Sequence, residues 1–313
     1  MAGLRRPAVQ GPIYAPLLTD EELADIAIVS GAPGIGFSQA ARLSERLQRG
    51  EQASPFRGPG LDFEDLRPYQ PGDDPRRIDW RITARLGKPF VRVYGETRQA
   101  VVWVVADRGP SMRFGTRARI KAAQAGRLAG LILSAADRAN DALALSLLDG
   151  EAFISQPPRN GRAALHAALE ALRAPCPPMR DHSASRWSSL LAELETSLPK
   201  GARLWLLSDF IHLTEADERL LERLAARAEL RLGLIEDTRE RDLPALGRVH
   251  LRAGGEAQEI DTSAAPLRAA YARHYTDRLA RLEDLARRLR GSLLKAATDD
   301  DLPRLAALMA GAD

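Results

Sequence analysis

Three oxygen-bearing side chains stand at positions where an α/β sheet does chemistry. Asp107 closes the β-branched run Val101-Val102-Trp103-Val104-Val105-Ala106, Ser111 follows it by four residues, and Asp209 closes Arg203-Leu204-Trp205-Leu206-Leu207-Ser208. Ligands of open α/β sheets bind at the carboxyl ends of the strands, near the point where strand order reverses. A hard divalent cation takes carboxylates, hydroxyls and water in an octahedral shell. Asp107, Ser111 and Asp209 supply part of such a shell, so Mg²⁺ or Mn²⁺ is the expected cofactor. The competing reading makes the two carboxylates strand-end groups that hydrogen-bond loop amides, with the site vestigial.

A second constellation lies earlier, between Gly58 and Arg85. It is dense in unlike charges, aromatics and turn residues. Pro71-Gly72-Asp73-Asp74 reads as a turn whose side chains bond local amides. Arg67, Arg76 and Arg85 offer planar forks for bidentate pairing with Asp73, Asp74 or Asp79. Tyr69 and Trp80 are expected to anchor the segment in the core while the ions satisfy one another, because buried ions persist only when paired. This network is read as a clamp between the N-terminal segment and the domain that follows, with direct ligand recognition as the alternative.

The elements that must position these residues follow from periodicity. Residues 1–98 read as an irregular, Gly- and Pro-rich extension with one helix around Phe37 to Arg49 and a half-buried strand at Val91–Tyr94. From residue 99 strands alternate with helices. Val101–Val105 is a continuous apolar run, as in a parallel strand buried on both faces. A helix is expected from Thr116 to about Asp137, strands at Leu143–Leu148 and Ala152–Ser155, then a helix capped by Asn160. Helix Trp187–Leu198 precedes the strand ending at Asp209. Thr214 and Asp217 form a capping-box-like helix start. Strand Leu230–Ile235, a hairpin around Gly254-Gly255, a long amphipathic helix over Pro266–Arg290 and a helical tail complete the chain. The expected fold is α/β, a doubly wound, mostly parallel sheet of Rossmann type over 99–313.

The run from Arg67 to Arg85 resembles the signature Arg-x-Tyr-x-x-Gly-Asp-Asp-x-Arg-x-Ile-Asp-Trp-x-x-x-Ala-Arg of the bacterial family called domain of unknown function 58, and every fixed position is met. The likeness continues through Asp107, Ser111-Met112-Arg113-Phe114-Gly115 and Leu207-Ser208-Asp209-Phe210. It implies a von Willebrand factor A-like domain, a MoxR-type AAA+ ATPase as partner, and a role in assembling or activating other proteins. Many relatives carry two membrane helices, so association with membrane-bound relatives is a further implication. The loop Asp107-Arg108-Gly109-Pro110-Ser111 resembles the Asp-x-Ser-x-Ser metal-adhesion loop of such domains. It departs from that pattern at Gly109, where the first serine is expected. The threonine of a later loop is also missing; Ser155 or Asn160 is the substitute on offer.

Composition narrows the function classes. The 313 residues carry 45 Lys+Arg against 42 Asp+Glu, a net charge of +3, with no basic stripe interleaved with aromatics, so nucleic acid is not an expected partner. The single cysteine, Cys176, excludes an internal disulfide framework and a Cys-based zinc cluster. The longest apolar run, Ala100 to Ala106, is far below the ~20 residues of a membrane helix, and no secretory leader is read at the N-terminus. A cytoplasmic chain without membrane insertion is expected. Gly31-Ala32-Pro33-Gly34-Ile35-Gly36 lacks the Lys-Ser/Thr ending of a phosphate loop, and no Gly-x-Ser-x-Gly elbow exists. The expected function is a non-enzymatic protein-interaction module. The alternatives are a metal-dependent, phosphoesterase-like hydrolase using Asp107 and Asp209, or a scaffold with a vestigial site.

Overall fold

The computed structural model describes residues 15–31, 63–71, 73–94, 99–150, 152–178, 186–241, 243–253 and 256–311. These fall into two compact units. One draws on Met1–Leu43 and Ala100–Asp313, the other on Ser44–Gln99.

The larger unit is a mixed α/β structure around a six-stranded sheet. In chain order its elements are α1 (Asp20–Val29), β3 (Val101–Asp107), α3 (Lys121–Arg138), β4 (Ala142–Leu148), β5 (Phe153–Arg159), α4 (Arg162–Arg173), α5 (Trp187–Ser197), β6 (Arg203–Ser208), α6 (Glu215–Ala225), β7 (Glu229–Glu236), α7 (Thr238–Arg241), β8 (Arg248–Ala253), β9 (Glu256–Asp261), α8 (Ala265–Arg288), β10 (Ser292–Ala297) and α9 (Leu302–Ala310). Strand order is β10-β7-β6-β3-β4-β5, and β8 pairs with β9 as a separate hairpin. All neighbours in the sheet are parallel except β4 and β5. The chain leaves β3 toward β4 and β5, then returns to β6 on the other side. The switch point therefore lies between β3 and β6, the two strands that end in the candidate carboxylates.

Alternation within the strands sorts the core into two layers. Val102, Val104, Ala106, Trp205 and Leu207 face a layer built with α1, α3, α4 and α9. Trp103, Val105, Leu204 and Leu206 face the opposite layer with α5, α6 and α8. Helix α3 is sheathed almost completely, and its small residues make this possible. A Cβ at Gly126 would lie 3.7 Å from Leu18, and one at Gly130 would meet Ile26 at 3.0 Å. Close approach of α1 to α3 buries Leu17, Leu18 and Ile26, each side chain contributing about 1.5–3 kcal/mol.

Several expectations are corrected here. The extension expected over 1–98 is not one piece: α1 packs into the α/β core, whereas 63–94 belongs to the small unit. Helix α1 is announced by Thr19 and Glu22, which form a capping box around an acidic first turn of Asp20, Glu21 and Glu22. Helix α3 begins at Lys121 instead of Thr116, because Thr116 donates its amide and hydroxyl to Asp237 at 2.8 and 2.6 Å. Gly161, with φ of +86°, precedes α4 in the place expected of Asn160. Strand β5 runs on to Arg159, an antiparallel edge on which Pro157 and Pro158 are tolerated. The tail contains the parallel edge strand β10 ahead of α9. The helix expected over 37–49, the Gly254-Gly255 turn and Ala32–Gly36 of the glycine-rich segment lie outside the described residues.

The small unit pairs β1 (Phe63–Pro68) with β2 (Phe90–Tyr94) antiparallel around a 3-10 turn (Pro75–Arg77) and α2 (Trp80–Leu86). Its aspartates act on the backbone. Asp73 accepts from the Gln70 amide, and Asp74 caps the 3-10 turn through the Arg76 amide. Asp79 caps α2 by accepting from Arg81 and Ile82, and Gly87 ends the helix with φ of +69°.

Candidate functional site

The carboxyl ends of β3 and β6 bring Asp107, Ser111 and Asp209 together, as the strand register requires: Ala106 is paired with Leu207. Asp107 is buried, and both its oxygens have donors. Oδ1 accepts from the Gly109 amide at 2.8 Å, and Oδ2 accepts from the Ser208 hydroxyl at 2.5 Å. Ser208 in turn accepts from the Phe210 amide at 3.0 Å. Burial and the nearby Asp209 charge push the Asp107 carboxyl up to about 7.

Asp209 is fully buried and engaged more heavily. Its Oδ1 accepts from the Ser111 hydroxyl at 3.1 Å and from the Ile211 amide at 3.1 Å. Its Oδ2 accepts from Lys121 Nζ at 2.7 Å. Lys121 also reaches Glu240 Oε1 at 2.5 Å, just beyond β7. Burial works against both charges, yet each holds the other ionised. Asp209 lies below the ordinary carboxylate range, and Lys121 above the ordinary lysine value. Three segments thus meet on one ammonium: the end of β6, the start of α3 and helix α7.

The neighbouring loops are fixed by the same kind of bond. Arg108 forks onto Asp149, with Nε to Oδ1 at 2.7 Å and Nη2 to Oδ2 at 2.9 Å, and donates Nη1 to the Ala174 carbonyl at 3.1 Å. Asp237 accepts from Thr116, from the Thr298 hydroxyl and from the Arg239 amide. Gly115 is held against the backbone of Arg119, where a Cβ would lie 2.2 Å from the carbonyl oxygen.

Tested against a divalent cation, the donor set does not fit. Both Asp107 oxygens and both Asp209 oxygens accept hydrogen bonds, and the donor on Asp209 Oδ2 is the Lys121 ammonium. Among the described residues no group of three or more His, Cys, Asp or Glu side chains is arranged to hold a metal ion. Ser155, offered as a substitute ligand, hydrogen-bonds Ser146 across β4 and β5 at 3.0 Å. At Gly109, a serine Cβ would stand 3.0 Å from Asp107 Oδ1.

Sequence reasoning missed Lys121, Ser208 and Glu240. A signal for Lys121 existed: it is the lone cation in Ile120-Lys121-Ala122-Ala123-Gln124-Ala125-Gly126, a segment apolar enough to demand a buried partner. The second constellation is divided. Tyr69 is half-buried; Asp74, Arg76 and Arg85 are exposed; Asp79 is buried. Trp80, expected in the core, is 68% exposed at the start of α2. Arg67 lies in β1, its side chain outside what is described, and Gly72 is not among the described residues.

A family model described as "Protein of unknown function DUF58" matches residues 65–281. The chain belongs to this family. The DUF58 match takes in both the small-unit signature and the Asp107–Asp209 site. Relatives 28% identical over 306 residues include the uncharacterized proteins Mb1516 of Mycobacterium bovis and Rv1480 of Mycobacterium tuberculosis, with 96% of this chain and 93% of theirs covered. Solved structures similar to part of this DUF58 chain include an aerotolerance-related membrane protein from Bacteroides fragilis. That likeness has 12% identity and a TM-score of 0.47, covering 68% of this chain and 98% of that one. Another is the conserved hypothetical protein BatB from Bacteroides thetaiotaomicron, at 12% identity and 0.44, covering 67% and 95%. Among the described residues no helix is long and apolar enough to cross a membrane.

Proposed function

We propose that this DUF58 chain is a non-enzymatic protein-interaction module of von Willebrand factor A-like kind. Its partner on this reading is a MoxR-type AAA+ ATPase, engaged during assembly or activation of other proteins. The observation that carries the reading is the loop after β6. Phe210 adopts φ of +55°, the Ile211 amide is pinned to Asp209, and the Ile211 side chain is left 46% exposed beside a network whose charges satisfy one another. A rigid loop that holds an apolar side chain toward solvent at the switch point is built for contact, since little ordering entropy remains to be lost on binding. The hydrolase alternative needs clustered ligands around paired ions, and the strand ends offer an ammonium in their place.

The test is the affinity of the full chain for a purified MoxR-type ATPase, with Ile211→Asp and Ile211→Ala as surface variants. A loss of tenfold or more in either variant, with thermal stability unchanged, is the expected result. Wild-type affinity in both variants would remove this face from the interaction.

A further inference from the structure

We infer that the candidate site carries its own cation: the Lys121 ammonium, held between Asp209 and Glu240, occupies the free oxygen of the Asp209 carboxylate and keeps Mg²⁺ and Mn²⁺ out. The inference rests on the geometry of the site and stands whether or not a partner docks there.

Three observations carry it. Lys121 Nζ lies 2.7 Å from Asp209 and 2.5 Å from Glu240, and its side chain is 1% exposed. A divalent ion ligated by Asp209 Oδ2 would have to displace that ammonium, because two cations sharing one buried carboxylate repel strongly at low dielectric. The tether itself is fixed: α3, which starts at Lys121, is buried along its length between the sheet and the helices α1, α4 and α9, so the lysine has no route out without unpacking the helix start. The remaining oxygens are also committed. Asp107 faces the Gly109 amide and the Ser208 hydroxyl, and Asp209 Oδ1 faces Ser111 and the Ile211 amide. An ammonium with its donors pointed at two carboxylates does the neutralising work of an ion without requiring the hydroxyl ligand that Gly109 lacks.

Removing the ammonium should invert the preference. Asp209 Oδ2 and Glu240 Oε1 would then face a gap without its ammonium, Glu240 keeping, among the described residues, only the more distant Arg278 as an ion-pair partner at 3.9 Å. Facing carboxylate oxygens are ligands that Mn²⁺ takes. The experiment is Mn²⁺ titration of the metal-stripped full chain, read by electron paramagnetic resonance of free Mn²⁺. Wild type is compared with Lys121→Ala, with the near-isosteric neutral Lys121→Gln, and with Lys121→Ala/Asp209→Asn. Wild type is expected to take up no stoichiometric Mn²⁺. At least one single variant is expected to bind one equivalent at least tenfold more tightly, and the double variant to lose it. Stoichiometric binding by wild type overturns the inference, and so does the absence of any gain in every single variant that folds. If neither single variant folds, ¹⁵N-lysine spectra of wild type decide. A protected Nζ resonance unbroadened by Mn²⁺ supports the inference, and selective broadening overturns it.

Discussion

Lys121 Nζ sits 2.7 Å from Asp209 Oδ2, with both side chains 1% exposed. The pair joins the first helix after β3 to the end of β6, 88 residues later. A buried ion pair need not exceed a well-packed apolar pair in stability, but breaking it from one side leaves an uncompensated charge.

Lys121→Met is therefore expected to destabilise the protein by about 3–5 kcal/mol. Adding Asp209→Asn should recover a large part of that loss, because the orphaned charge is removed. Urea denaturation of the two single variants and the double variant measures the coupling. Additive effects would show that the two groups do not act as a pair.

Asp107 sets a pH dependence of the opposite kind. Its folded-state value of about 7 lies above the ordinary 3.8, so the folded protein holds a proton that the unfolded chain has released. Stability contributed by that proton is full below the ordinary value and is lost as pH rises through about 7. The total is on the order of 4 kcal/mol at most. Thermal melting between pH 5 and 8 should show a falling limb that Asp107→Asn flattens. An identical slope in that variant would assign the limb to other groups.

The Asp209–Lys121 pair frames this window. Asp209 is held below its ordinary value and Lys121 above its own. Their stabilisation is thus lost only as pH falls below the ordinary carboxylate range, or rises beyond the ordinary lysine range. Asp209→Asn also removes the charge that helps burial raise the Asp107 carboxyl, so it should lower the whole curve and shift the falling limb between pH 5 and 8 toward lower pH. A limb left where it is in wild type would show that Asp209 does not act on Asp107.

Gly109→Ser restores the residue type that the metal-adhesion loop has at this position. Its Cβ would stand 3.0 Å from Asp107 Oδ1, an overpacking that costs about 1–3 kcal/mol. The variant alone is expected to take up no Mn²⁺, since Lys121 is still in place. Metal uptake by this single variant would contradict that.

Gly115→Ala tests why the loop before α3 carries a glycine. A Cβ there would lie 2.2 Å from the Arg119 carbonyl oxygen and 2.7 Å from Ile120 Cα. Both are backbone atoms that cannot rotate away, so a loss of about 3 kcal/mol or more is expected. Differential scanning calorimetry reads it, and a melting temperature within a degree of wild type would show that the loop can open freely.

How much of this was legible in the residues themselves follows from the range of the forces involved. The apolar runs of β3 and β6, the Thr214–Asp217 capping box and the amphipathic repeat of α8 are local patterns, so the α/β class and the placement of Asp107 and Asp209 at strand ends could be read directly. The roles of Asp74 and Asp79 were half legible, because capping acts over two or three residues while the exposure of Trp80 does not. Strand β10 and helix α1 were missed: the first is a six-residue edge with little signal, and the second was hidden in a segment rich in turn residues. The identity of the site's cation was out of reach. Lys121 meets Asp209 and Glu240 across 88 and 119 positions, and only the sheet order, which seats β3 beside β6 and β6 beside β7, turns that separation into contact. Local propensity set the elements and their ends; the long-range packing of α3 between two layers decided that a lysine fills the site.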